Sequence, residues 1–151
     1  MILNAILVFV LTFVAMECAS WLIHKYVLHG FLWFMHKSHH TPRQGIFEIN
    51  DLVGIVYAVI AAVLVYFGLE SKAYNTAAVG FGISAYGLFY FIFHDVIIHR
   101  RIKMKYTFKN LYINRLIRAH KLHHKHQNKE NSEAFGFLYA TPKYKVTKPN
   151  N

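Results

Sequence analysis

The chain has 151 residues, of which 55% are hydrophobic, 17 are Lys or Arg, 7 are Asp or Glu and 11 are His, for a formal net charge of +10. This length suits one domain, and a positive mean hydropathy beside so many basic residues describes a membrane protein with wet ends. Thirteen of the seventeen cations stand at or after Arg100, behind an apolar span, which argues for membrane topology rather than nucleic-acid binding, and a single cysteine, Cys18, excludes a disulfide framework or a CXXC metal site.

In chain order, the first apolar run, Ile2 to Ile23, has no Lys or Arg ahead of it and no small-residue cleavage site, so it is expected to remain as a membrane span. Leu52 to Leu69 and about Ala77 to Ile98 supply two more spans, each near the ~20 residues that a ~30 Å hydrocarbon core demands. Asn50 and Asp51 are placed to cap the second span, and the polar turn Glu70 to Asn75 makes the second and third an antiparallel hairpin. The shorter apolar stretches Phe31 to Met35 and Leu111 to Ile117 suit amphipathic helices at the interface, with Trp33, Tyr106 and Tyr112 at headgroup level. Residues 1–142 are expected to form one domain, and residues 143–151 a basic tail that frays. The fold class expected is an all-α membrane bundle of three spans plus interfacial helices.

Ten of the eleven histidines fall in four clusters: His24 and His29 (HX4H), His36, His39 and His40 (HXXHH), His94 and His99 (HX4H), and His120, His123 and His124 (HXXHH). They are two copies of one paired module. A lone histidine near a membrane interface is ordinarily a hydrogen-bonded residue, but two patterns repeated in matched order point to metal, and ten imidazoles exceed the needs of one ion. In HXXHH on a helix, residues three and four apart share a face at ~5–6 Å. An HX4H pair is about 140° apart on an ideal helix, so its rings either reach different metals or straddle the centre. His126 stands outside the repeat and reads as a solvated residue.

The loop between the first two spans holds Lys25, Lys37 and Arg43, while the hairpin turn holds only Lys72. With the basic excess after the third span, this places the N-terminus outside and all four clusters on the cytosolic face of the cytoplasmic (inner) membrane. Few acids accompany the histidines, and EXXH, the signature of helix-bundle carboxylate centres, is absent. Glu17 and Asp95 are candidates to orient imidazoles, with a bundle hydrogen bond and an ion pair to Arg100 or Arg101 as the plainer alternatives. Trp21, Phe89, Tyr90, Phe91 and Phe93 are candidates to line a substrate pocket.

The four clusters in this order, joined by HKYVLHGFLWFMHKSHHTPRQGIFEINDL, AYGLFYFIFHDVIIHRR, NRLIRAHKLHH and FGFLYATP, resemble the bacterial non-haem β-carotene 3-hydroxylases of the fatty acid hydroxylase superfamily over nearly the whole chain. PRQGIFEIND and FGFLYA discriminate far better than the histidine boxes, which desaturases, sterol oxidases and alkane hydroxylases share. The resemblance implies a membrane monooxygenase that uses O2 and two electrons to hydroxylate carbon 3 of a β-ionone ring, taking β-carotene through β-cryptoxanthin to zeaxanthin. It implies two iron ions held by His24, His29, His36, His39, His40, His94, His99, His120, His123 and His124. The chain departs from the usual pattern at Val96, where Gly is common, and before FGF, where a Gly-Cys pair is missing.

With no nucleotide fingerprint and no cysteine cluster, electrons are expected from a ferredoxin-type partner, whose acidic surface suits a basic face that also meets membrane lipids. Same-class alternatives are a fatty acid or sterol hydroxylase or desaturase. A metal transporter would keep polar ligands along the membrane interior, and a membrane cytochrome would pair axial histidines at mid-membrane.

Overall fold

The computed structural model describes residues 1–42, 45–103, 107–130 and 132–147. Arg43, Tyr106 and Lys148 to Asn151, which figure in the topology, anchor and tail expectations, lie outside them. Among the described residues all regular structure is helical: α1 (Ile2–Leu22) runs on as a π-helical segment (Ile23–Phe31), followed by α2 (Trp33–His40), α3 (Asp51–Glu70), α4 (Tyr74–Tyr90) with its own π-helical continuation (Phe91–Ile98), α5 (Leu111–Lys125) and a 3₁₀ turn (Pro142–Tyr144).

Among the described residues, three helical stretches are long and apolar enough to cross a membrane: Ile2–Phe31, Asp51–Glu70 and Tyr74–Ile98. α4 is the central one, packing against both α1 and α3. It does so at short range because small residues line its contacts. A Cβ at Gly68 would strike the backbone of Ala77; one at Gly80 would lie 2.7 Å from the Ala61 carbonyl oxygen, and one at Gly82 2.7 Å from Thr12 Cβ. With lipid as apolar as the side chains, close backbone approach and dispersion must hold such helices together. The outward faces stay apolar, and α1 buries none of its residues.

Beyond the spans, α5 closes the end of the bundle. Asn110 caps it, its side chain accepting from the Tyr112 and Ile113 N–H groups. Its inner face joins Phe93, Ile98, Leu116, Ala119, Ala140 and Tyr144 in one apolar cluster. The tail is therefore tied down further than its composition suggests: Tyr144 is buried, the Lys145 carbonyl accepts from Arg118, and Lys143 pairs with Glu133. The cap expected of Asn50 is also absent, since its side chain is used elsewhere. Trp33 leans on the His29 and His40 rings at 5.0 and 5.2 Å rather than standing free as an anchor.

Gly68→Leu and Gly80→Leu should each separate α3 from α4 and cost at least the ~1–3 kcal/mol of overpacking. The check is folded yield and thermal midpoint in detergent, and wild-type stability for both variants would contradict the packing described.

Candidate metal centre

Regular α-helix cannot put residues five apart on one face, but π-helix can, because its i→i+5 hydrogen bonds return the chain to the same face one residue later. Both HX4H pairs lie on such winding. The His99 N–H donates to the His94 carbonyl at 2.9 Å, and the ring centroids within the pairs are 5.2 Å apart for His24 and His29 and 4.4 Å for His94 and His99. The rings of each pair therefore fall in the same cluster.

The ten histidines gather into two groups of five: His24, His29, His36, His40 and His123, and His39, His94, His99, His120 and His124. Within each group the candidate ligand nitrogens all lie within 4.8 Å of one another. The division follows a rule. Each group takes one HX4H pair and the i, i+4 pair of one HXXHH box, and receives the middle histidine of the other box. His39 and His123 thus cross over and tie α2 and α5 together. His126 joins neither group; its side chain is exposed.

The hydrogen bonds fix which nitrogen faces inward. In the first group, every Nδ1 donates to an acceptor: His24 to the Phe135 carbonyl at 3.0 Å, His29 to that of Lys129 at 3.2 Å, His36 to Asn50 Oδ1 at 2.8 Å, His40 to the His126 carbonyl at 3.0 Å and His123 to that of Glu133 at 2.8 Å. A neutral imidazole with its proton on Nδ1 has only a lone pair on Nε2. Yet His24 and His36 Nε2 are 3.0 Å apart, His36 and His40 Nε2 3.2 Å, and His29 and His123 Nε2 3.2 Å. These are facing lone pairs rather than hydrogen bonds, and a cation among them removes the repulsion.

The second group repeats the arrangement at His39, whose Nδ1 donates to Glu48 at 3.0 Å while its Nε2 stands 3.0 Å from His94 Nε2, whereas the Nδ1 atoms of His94 and His120 are buried without a hydrogen-bond partner. His99 and His120 Nε2 are 3.1 Å apart, and His124 Nε2 is buried with no hydrogen-bond partner. An all-imidazole donor set of this kind suits a divalent transition ion in each group.

Burial keeps these rings neutral. It lowers His36 to about 3, with Asn50 holding against the shift, and His40 to about 4, opposed by the His126 carbonyl. Burial and then His40 lower His123 to about 2, and His39, His120 and His124 fall well below the ordinary imidazole value through burial and neighbouring rings. Since metal binds the deprotonated ring, the cluster is already in its ligating form.

An ionic knot holds the carboxylates beside the second group. Arg101 grips Asp51 with two nitrogens, at 2.6 and 2.9 Å, its Nε reaches Asp95 at 2.7 Å, and Glu48 lies 3.5 Å away. Asp51 also accepts from the Glu48 N–H. Asp95 makes the ion pair with Arg101 considered for it, and its carboxylate comes to 3.5 Å from His94 Nδ1 without a hydrogen bond between them. Glu17 is directed elsewhere. It accepts from the Phe137 and Leu138 N–H groups and from the Tyr86 hydroxyl, and so anchors the strip whose Phe137 packs on His24, His94 and His120. The residues that sequence reasoning missed, Glu48, Asn50 and the carbonyl of Phe135, lie in PRQGIFEIND and at the start of FGFLYA; those distinctive connecting texts were the signal.

Among the described residues, an opening reaches each cluster. An apolar cavity of about 640 Å³ between α1, α3 and α4 ends on His24 and His36 and is lined by Tyr90 and Phe91. Trp21, Phe89 and Phe93 are not in its wall; Phe89 and Phe93 stack on each other in the core. A smaller polar cleft of about 370 Å³, rimmed by Lys121 and Lys125, opens on His39, His99, His120 and His124.

Comparisons with known proteins place the chain in a family. Residues 9–141 match the family described as fatty acid hydroxylase. A protein of Pantoea ananas named beta-carotene hydroxylase is 43% identical over 143 residues, covering 95% of this chain and 81% of that one. One of the same name from Pseudescherichia vulneris is 39% identical over 93% of this chain and 78% of its own length. A chloroplastic beta-carotene 3-hydroxylase 2 of Arabidopsis thaliana is 37% identical over 74% of this chain and 38% of its own. No solved structure matches. With the family match spanning most of the chain and ten imidazoles gathered at the end of a membrane bundle, this protein is a membrane enzyme of the fatty acid hydroxylase family.

Proposed function

We propose that the two histidine groups hold two iron ions and that the protein hydroxylates carbon 3 of the β-ionone ring, converting β-carotene through β-cryptoxanthin to zeaxanthin. The observation that carries the reading is the apolar cavity ending on His24 and His36, which a lipid-dissolved hydrocarbon ring can enter. Its support in sequence is the likeness to proteins named for this activity. Bound by these histidines and supplied with O2, two electrons and two protons, iron would provide the oxidant that hydroxylation of an unactivated C–H bond demands, one oxygen atom of O2 going to the ring and the other to water.

The chain's own residues do the rest. Ten imidazoles would hold the ions, those of the first group and His39 oriented through their Nδ1 protons; Tyr90, Phe91 and Phe137 form an apolar wall around the place where the ring must lie and exclude water from it. The basic polar end is assigned to the cytosolic face of the inner membrane, where Lys121 and Lys125 meet an acidic ferredoxin-type donor by charge complementarity.

Cells accumulating β-carotene should form zeaxanthin when they express this chain, and the purified protein should carry two irons and turn over β-carotene only when O2 and a reduced donor are both present. Hydroxy fatty acid or sterol products in place of zeaxanthin would overturn the substrate assignment.

Alanine at any of the ten clustered histidines should abolish or severely reduce activity and iron per chain. Asn50→Ala and Glu48→Ala should lower metal affinity by the ~10–100-fold typical of lost ligand-orienting partners. His126→Ala keeps the carbonyl that serves His40 and should be mild. Equal damage at His126 and His39 would defeat the ligand assignment.

Above the ~6.5 reference value, histidines are neutral in folded and unfolded chain alike. Below it the unfolded chain takes up protons that the buried rings refuse, so stability is lost as pH falls from ~6.5 toward the folded values of about 4 for His40 and about 3 for His36. Thermal midpoint and iron per chain should decline together between pH 7 and pH 4. A flat profile would contradict neutral burial.

A further inference from the structure

The same hairpin that closes tightly at one end is open at the other, and glycines mark both conditions. Toward Lys72, Gly68 and Gly80 sit where a Cβ would collide with the facing helix. Toward the histidines, a Cβ at Gly54 of α3 or at Gly87 of α4 meets nothing within 4 Å, and both residues line the apolar cavity. Glycine is disfavoured within a helix relative to alanine. Close packing accounts for it at Gly68 and Gly80, but no neighbour accounts for it at Gly54 and Gly87, where the thing preserved is empty space. Gly54 follows Asn50 by one helical turn, ~6 Å along the axis, so this space lies just short of the histidine end.

The mouth of the cavity is lined by Ile55, Leu88 and Phe91, which are 54%, 61% and 46% exposed on the spans. A soluble substrate would not be admitted through such a rim; a molecule dissolved in the bilayer would.

We propose that Gly54 and Gly87 are specificity-determining residues: the side chains they lack leave a lateral throat through which one ring end of a long polyene enters from lipid. This rests on the functional reading above and extends it. Because the mouth is open, the far end of the substrate stays in the bilayer uninspected. A polyene already hydroxylated on its far ring is therefore accepted like the unmodified one, as two successive hydroxylations require.

The test uses the full-length, iron-loaded protein in detergent, with Ala, Val and Leu placed in turn at Gly54 and at Gly87. Iron per chain, equilibrium binding of β-carotene read from its absorption shift, and KM and kcat are measured on each. Iron should stay at the wild-type level. Binding should change little with Ala and weaken by at least ~10-fold with Leu, with KM rising before kcat falls. Wild-type binding by both Leu variants at full iron occupancy would overturn the proposal. If Leu costs iron, the Val variants decide: binding lost only in step with iron also overturns it, and binding lost at full iron upholds it. Failure of the wild-type protein itself to bind or hydroxylate β-carotene is a different result, which removes the functional reading and this proposal with it.

Discussion

Everything at the working end of this protein answers one electrostatic demand: imidazole lone pairs must be held face to face, out of water, without protons to separate them. Left alone, the rings would rotate, protonate or pair through N–H···N bonds. The fold prevents this by giving each Nδ1 of the first group an oxygen to donate to, which commits the proton to the outer nitrogen and leaves Nε2 bare. Four of those five oxygens are main-chain carbonyls, which do not titrate.

Meeting that demand shapes the helices. Two spans abandon α-helical winding where their histidines begin, and in both the change is to the one helical form that stacks residues five apart. The crossing of His39 and His123 makes α2 and α5 parts of both groups, so neither group forms without the other's helix. Arg101 then ties the start of α3 and the second π-helical segment to the segment that carries Glu48.

Much of this was legible in the sequence. Three spans, the hairpin, and ten ligand candidates at one end follow from hydropathy, charge and spacing. The division of the ligands did not: HX4H has no face in common on an α-helix, and nothing in the four letters between the histidines announces π-helix. Asn50 looked like a cap because asparagine before an apolar run usually is one, and only the approach of His36 claims its side chain. Glu17 looked like a partner for imidazole; Gly136, where a Cβ would lie 2.8 Å from its carboxylate, brings main-chain N–H groups there first. Long-range partners, up to 121 residues apart in the case of Glu17 and Leu138, have no local signature.

The order in which the chain is made adds a last consequence. The spans and seven of the ten clustered histidines precede Arg100, but the carbonyls that orient His24, His29, His40 and His123 belong to residues 126 to 135. A ribosome delivers the bundle to the bilayer well before it releases those oxygens, because domains emerge from the N-terminus onward. His24, His29 and His40 therefore lack their orienting oxygens until that segment is made, and the first group matures only when it folds back over them, like a keystone set after the arch is standing.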